Sequence, residues 1–298
     1  MDIHHLKVFV AVFRGRSFSG ASESLRLTQP TISSHIKALE EELQCSLFDR
    51  MGRSIIPTKE AELLYPHAVE IIERAEGVKE IIGSSRNEIA GSLFIGASTI
   101  PGTYILPSIM AEMQKSHSSL SFQITIADSK EILERIARHE ILLGIVGARL
   151  SEPAIRYIPF REDELIIVAS PSMRAPEVME AKAVTRFPLV MREEGSGTRK
   201  ETERILAHKG IAIDNIRPAC VLSSPDAIKQ AVKAGMGIAI LSRVSVADEI
   251  RCGVLREISL KGGEMKRAFY IATHKKRSLP PTYRFFLDYL TAWSGRQE

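Results

Sequence analysis

Apolar positions in the first sixty residues recur at intervals of three and four. Ile3, Leu6, Phe9, Val10 and Phe13 share one face and predict a first helix. "GRSFSGASESL" supplies a stop at Gly15, an N-cap at Ser17 or Ser19, and Glu23 early in a second helix that buries Ala21 and Leu25. Leu27 and Thr28 break that helix. Thr28 caps a third, Pro30 lies in its first turn where a missing N–H is harmless, and Ile32, Ile36, Leu39 and Leu43 form its buried stripe. "LFDRMGRSIIPT" predicts a small hairpin wing that turns at Gly52. From Thr58 to about Asn87, Ala61, Leu64, Ala68, Ile71, Ala75, Val78 and Ile82 step three and four alternately. That heptad seam predicts one long helix of roughly 40 Å. A second copy covering the seam is expected, the plainer alternative being a helix that lies on its own domain. Pro66 inside the pattern predicts a kink or a first-turn boundary.

"SSRNEIAGS" (84–92) reads as a linker, and beyond it strands alternate with helices. "SLFIGAS", "LSFQITIAD" and "LLGIVGA" are strands separated by helical stretches, which predicts βαβαβ and a mainly parallel sheet. A second series runs "FPLVMRE", "GTRKETERILAHKG", "IRPACVL", "PDAIKQAVKAG" and "GIAIL". Strands near 155–169 connect the two, and "KRAFYIAT" with "PPTYRFFLDYLTAW" is expected to pack back on the first unit. The pattern predicts a hinged, two-lobed binding fold.

Composition narrows the function classes. The chain has 298 residues, 44% hydrophobic and 26% charged, enough for more than one globular domain. Its net charge of +4 permits a polyanionic partner without demanding one. Residues 1–60 carry eight Lys/Arg against seven Asp/Glu, so any nucleic-acid binding depends on where the charge is placed. Cys45, Cys220 and Cys252 lie far apart without a C-x-x-C pair, which predicts reduced, buried or half-buried thiols rather than disulfides or a zinc site. No apolar run reaches membrane-spanning length and no signal-peptide pattern opens the chain, so a cytoplasmic protein without a membrane partner is expected.

The third helix begins with short hydrogen-bonding side chains and little charge: Thr28, Gln29, Thr31, Ser33 and Ser34. Such a start suits close docking in a DNA major groove, where Gln pairs with adenine and Ser or Thr reach bases or phosphates. An exposed, capped helix end is the plainer reading. The stretch "FVAVFRGRSFSGASESLRLTQPTISSHIKALEEELQCSLFDRMGRSIIPTKEAE" resembles the N-terminal domain of LysR-type transcriptional regulators. The order of later elements is similar to that family's periplasmic-binding-protein-like effector domain. The resemblance implies an all-α winged helix-turn-helix domain (1–58) and a linker or dimerisation helix (59–88), followed by a two-lobed α/β effector domain (89–298). Lobe I would hold about 89–162 and 268–298, and lobe II about 163–267. It further implies double-stranded DNA as partner, a homodimer or homotetramer, and RNA polymerase as a further partner. By the same resemblance Gln29, Pro30, Thr31, Ser33, Ser34 and Lys37 meet DNA, with Arg50 and Arg53 on the wing. Ser34 and Ala61 depart from the family's usual Arg and Gly.

In the second half, four helix starts follow strands directly. They carry Ser98 and Thr99 before Pro101, with Thr103 beyond it; Asp128 or Ser129; Ser196 and Thr198 in a glycine-flanked loop; and Ser223 and Ser224 before Pro225. Ligands of open α/β sheets bind at the carboxyl ends of strands, and free N–H groups at helix starts favour anions. We therefore expect no cofactor but a small anion or carboxylate effector between the lobes. Ser98, Thr99, Thr103, Ser129, Ser196, Thr198 and Ser223 would touch it, with Arg149 or Arg199 as charge partners. Helix capping alone is the plainer role of each hydroxyl. "STIPGTYILP" and "REEGSGTR" also resemble regulators tied to sulfur or selenium metabolism and to carbon fixation. Two rival classes read poorly. An enzyme lacks a nucleophile–base pair at motif spacing, and adjacent His4 and His5 on a helix diverge, so no metal is expected. An anion-transport component would have a secretion signal and no helix-turn-helix.

Overall fold

The computed structural model describes residues 2–51, 54–84, 89–211 and 218–294. It divides into two units, Met1–Glu88 and Ile89–Glu298.

The first unit holds helices α1 (Ile3–Gly15), α2 (Phe18–Leu25) and α3 (Gln29–Leu43), a hairpin of β1 (Phe48–Met51) and β2 (Ser54–Pro57), and α4 (Lys59–Ser84). Asp2, Ser17 and Thr28 cap the three short helices through their side chains, and Arg16, Arg26 and Gln44 end them in the left-handed region that glycine usually occupies. Leu6, Phe9, Ile32, Ile36, Leu39 and Leu47 are fully buried at the centre. Ile3, expected in the α1 stripe, is exposed, and Val8 and Val12 are buried beside Phe9 instead.

The long helix departs from its expected role along half its length. Ala61 and Ala68 are buried in the core of their own unit together with Tyr65 and Val69, and Leu64 and Ile71 pack against the same cluster. Phe13 of α1 stacks on Tyr65 at 4.2 Å, and Arg14 Nε donates to the Tyr65 hydroxyl at 2.8 Å. α1 thus covers the seam that was expected to await a second copy. Further along, Ala75 is half-buried and Val78 is 54% exposed, while the side chain of Ile82 lies outside the described residues. Pro66 falls inside α4 rather than at its first turn.

The second unit comprises β3 (Gly91–Ser98), a π-helical turn (Pro101–Ile105), α5 (Leu106–Ser116), β4 (Leu120–Ala127), α6 (Ser129–Ala137), β5 (Leu143–Val146), β6 (Ile155–Ala169) and β7 (Val178–Glu180). A short 3-10 turn (Ala181–Arg186), β8 (Leu189–Arg192), α7 (Gly197–His208), β9 (Cys220–Leu222), α8 (Pro225–Lys233) and β10 (Ile238–Ser242) follow. α9 (Arg243–Arg251), β11 (Arg256–Lys261), β12 (Met265–His274) and α10 (Pro281–Ser294) complete it. The strands run in the order β4-β3-β5-β12-β6-β10-β8-β9, with β11 beside β6 and β7. The expected parallel pairing holds within each βαβ series, β3 with β4 and β5, and β8 with β9 and β10. The strands that join the series are antiparallel: β12 pairs with β5 and β6, and β6 with β10.

Two lobes follow from where the apolar residues cluster. Lobe I packs Leu93, Ile95, Leu143, Ile145, Phe160, Phe269, Ile271, Phe286 and Leu290 together. The Tyr283 hydroxyl of α10 accepts from Phe94 N at 2.9 Å and so fixes the last helix on β3. Lobe II buries both faces of its sheet. Leu165 and Ile167 face one cluster while Ile166 and Val168 face the other, the period-two pattern of a strand covered on both sides. β6 and β12 serve both lobes, paired from Ile155↔His274 to Leu165↔Met265, with a bulge at Phe269/Tyr270.

Candidate functional site

In the first unit, Ile32, Ile36 and Leu39 anchor α3 and turn its opposite face outward. Thr28, Gln29, Pro30, Ser34 and Lys37 are exposed there, and Thr31 and Ser33 are half-buried. Thr28 Oγ1 accepts from Thr31 N at 3.3 Å and lies 2.7 Å from Thr31 Oγ1, so the two threonines form one capped corner. Lys37 Nζ is 3.5 Å from Glu41, a largely solvated pair that leaves the ammonium free to exchange partners. The Glu40 carboxylate accepts from Leu47 N at 2.7 Å and Phe48 N at 3.3 Å, tying the entry of the wing to the helix. The side chain of Arg50, and Arg53 as a whole, lie outside the described residues.

Three histidines converge where divergence was expected. The His35 ring of α3 lies 4.9 Å from His4 and 5.0 Å from His5, and His5 Nδ1 is buried without a partner. Burial, then the neighbouring His4 and His5, lower the pKa of His35 below its ordinary value. No group of side chains among the described residues has the arrangement of a metal site. Of the thiols, Cys45 and Cys220 are half-buried as expected, but Cys252 is exposed.

In the second unit, the ends of β3 and β5 and the starts of α6 and α7 line a pocket between the lobes that is open to solvent on one side. Ser98, Thr99, Ser129, Ser196 and Thr198 all line it. Ser129 is 1% exposed and its Oγ accepts from Gly147 N at 3.3 Å. Ser196 Oγ caps α7 by accepting from Arg199 N, and Asp128 Oδ1 caps α6 by accepting from Glu131 N at 2.8 Å. The lobes meet closely here. A Cβ on Gly197 would lie 2.6 Å from Ser129 Oγ and 2.9 Å from the Gly147 carbonyl carbon, and one on Gly195 would overlap the Asp128 carboxylate. At Gly197 the approach of backbone, not the backbone angle, requires glycine, whereas at Gly195 a side chain would have to displace the Asp128 carboxylate.

Four expected contacts are not in the pocket lining. Thr103 is exposed on the π-helical turn, because the turn carries it to the outer surface. Arg149 lies over the rings of Tyr157 at 5.5 Å and Tyr270 at 5.6 Å, which hold its guanidinium elsewhere. Ser223 is exposed, and the cap of α8 is Ser224, whose Oγ accepts from Asp226 N at 3.2 Å. Arg199 donates to Glu203 and to the Arg192 carbonyl, so it supports the pocket from behind.

The charged groups in the lining are Arg192, Arg267 and Asp128, and the two arginines escaped the sequence reading. Arg192 is bidentate on Glu193, with both contacts at 2.7 Å, and its Nη2 reaches across to Thr99 Oγ1 at 3.4 Å. Arg267 donates through Nε to Asp163 at 2.7 Å and through Nη1 to Thr198 Oγ1 at 3.1 Å, while its Nη2 is buried with no hydrogen-bond partner. Ser242 Oγ takes the other oxygen of Asp163 at 2.8 Å. Burial lowers the pKa of Arg267 against the pull of Asp163, yet a guanidinium does not give up its proton in a protein. An unsatisfied donor in such a place costs about 1–3 kcal/mol. A sequence signal did exist: Met265, Arg267, Phe269 and Ile271 alternate on one strand face, and an Arg on a core face needs an anion.

A second set of contacts joins the lobes away from the pocket. Lys229 Nζ of α8 meets Asp226 at 2.8 Å, Glu249 at 3.0 Å and, across the lobe boundary, the Tyr104 hydroxyl at 3.2 Å. Burial alone would lower the Lys229 pKa, but these hydrogen bonds outweigh it and hold the ammonium above its ordinary range.

Comparison with known proteins accounts for both units. The family model for the LysR substrate binding domain matches residues 86–295, and that for the bacterial regulatory helix-turn-helix protein, lysR family, matches residues 3–62. The chain is 32% identical to the HTH-type transcriptional activator CmpR of Synechocystis sp. (strain ATCC 27184 / PCC 6803 / Kazusa), over 97% of this chain and 95% of that protein. Full-length CbnR complexed with target DNA aligns with a TM-score of 0.66 at 21% identity, covering 99% of this chain and 100% of that one. The regulatory domain of Synechocystis PCC6803 CcmR in complex with 2-PG aligns with a TM-score of 0.62 at 26% identity, covering 68% of this chain and 97% of that one.

Proposed function

The chain belongs to the LysR family of DNA-binding transcriptional regulators, and we propose that its signal is a small anion bound between the two lobes of its effector domain. The family places a helix-turn-helix domain before an effector-binding domain, and the chain is a regulator of that kind rather than a bare anion-binding module. Arg267 carries the proposal: a buried cation with an unpartnered Nη2, in a pocket whose lining also holds Arg192, five hydroxyls and the Asp128 carboxylate, lacks an acceptor that an anion would supply. Arg192, Ser98, Thr99, Ser129, Ser196 and Thr198 complete the proposed site. The relative CcmR, whose regulatory domain is described in complex with 2-PG, supports a small-molecule ligand for this domain.

On the DNA side, Gln29, Pro30, Thr31, Ser33, Ser34 and Lys37 are the proposed groove-facing set, capped by Thr28, with Arg50 and Arg53 on the wing. We assign self-association to the outer part of α4, around Ala75 and Val78, in a homodimer or homotetramer that works in the cytoplasm, acts without catalysis and engages RNA polymerase. CbnR on its target DNA supports the DNA partner. Selection of binding duplexes from a random-sequence library tests the reading. The full-length protein should enrich one consensus, and Gln29→Ala should weaken binding by about 1–3 kcal/mol while relaxing one base position. The enriched duplex should then respond to phosphate or small carboxylates. Absence of any consensus would overturn the DNA-contact assignment, and a consensus indifferent to every anion would overturn the anion.

A further inference from the structure

We infer that the ligand of the inter-lobe pocket is a small monoanion bearing an O–H group, held at one end by Arg267 and at the other by Asp128. The inference rests on the anion reading above and narrows it. Two unspent groups of opposite character carry it. Arg267 Nη2 is a buried donor without an acceptor. Asp128 spends Oδ1 on the α6 cap, and its Oδ2, which faces Gly195 of the other lobe, is an acceptor without a donor among the described residues.

The charge around the pocket points the same way. Two guanidiniums, Arg192 and Arg267, stand against three carboxylates, Glu193, Asp163 and Asp128. Glu201 adds a fourth negative influence on Arg267. Both guanidiniums are already paired, so the pocket is not a cationic cage for a multiply charged ion. A fully ionised dianion would set like charge against Asp128, and that repulsion disfavours it. An O–H on the ligand turns that opposition into a charge-assisted hydrogen bond to Oδ2. The lining hydroxyls of Ser98, Thr99, Ser129 and Ser196 are indifferent, since each donates or accepts. Two sources share this chemistry, a short hydroxycarboxylate and a protonated inorganic oxyanion.

Calorimetric titration of the full-length protein near pH 6 separates them with two pairs, glycolate against acetate at equal charge, and phosphate, mainly a monoanion at that pH, against the sulfate dianion. The expected result is a preference of about tenfold or more for the O–H-bearing member of at least one pair, and the pair that responds names the source. Asp128→Asn keeps a capping side chain but replaces the carboxylate, so the preference should collapse while the fold persists; Asp128→Ser provides a second capped, uncharged variant. Arg267→Met should abolish binding of every anion. Acetate and sulfate binding as tightly as their partners, with Arg267→Met still abolishing both, would overturn the O–H inference and leave the anion pocket standing. Binding of none of the four, or binding unaffected by Arg267→Met, would overturn both.

Discussion

His35 sits on α3 with its ring against His4 and His5, and Asp2 as the opposing charge nearby. Its pKa is lowered on folding, first by burial and then by its histidine neighbours. The unfolded chain therefore takes up the proton first as pH falls, and the first unit should lose stability below the ordinary value of 6.5. Thermal melts near pH 7.5 and pH 5.5 should show this loss in the wild type and less of it in His35→Gln. Equal slopes in the two proteins would remove His35 from the explanation. Arg267 illustrates a different point at this scale. The hydroxyls of the pocket were legible because capping residues announce themselves beside helix starts, as Ser129 and Ser196 do. The arginines were not, because their meaning depends on neighbours distant in sequence: Asp163 lies 104 positions from Arg267, and Thr99 lies 93 from Arg192.

Among the elements, those with strong local signals read correctly: the three capped helices, the wing and the two βαβ series. α4 read less well. The three-and-four spacing of its seam runs from Ala61 to Ile82, but Tyr65 and Val69 lie on adjoining positions and form a second stripe that joins the core of the first unit. Heptad spacing cannot say which partner fills it when small residues suit both. The two halves of α4 should therefore respond differently to substitution. Ala68→Leu adds volume to a closed core and should lower the melting stability of the first unit by about 1–3 kcal/mol. Val78→Asp should leave that stability alone and shift the protein toward monomer in sedimentation. A Val78→Asp protein that sediments as the wild type would move the self-association surface elsewhere.

At the scale of the whole molecule, the contacts that join the lobes bear on any response to a ligand. Arg192–Thr99 and Arg267–Thr198 link the pocket walls, and Lys229 with Tyr104 links the lobes at a distance from it. Closure that buries the Arg267 donor without an acceptor is costly, and a ligand that supplies one shifts the population. Lys229→Met should consequently weaken anion affinity several-fold without touching the pocket, and small-angle scattering should report a more open effector domain. Unchanged affinity would show that the Lys229 cluster only stabilises lobe II. The two-lobed plan was legible from alternating strands and helices, but the antiparallel junction was not, since strand direction across a long connection leaves no local trace. That junction has a consequence of its own. β6 and β12 pair in lobe I like the two arms of a hairpin, and everything between Leu165 and Met265 is, topologically, its loop. Lobe II is thus a nested insertion with one entry and one exit side by side. It can be exchanged as a module by recombination at two adjacent points, changing half of the ligand's surroundings while the other lobe and the DNA-binding unit keep their sequence.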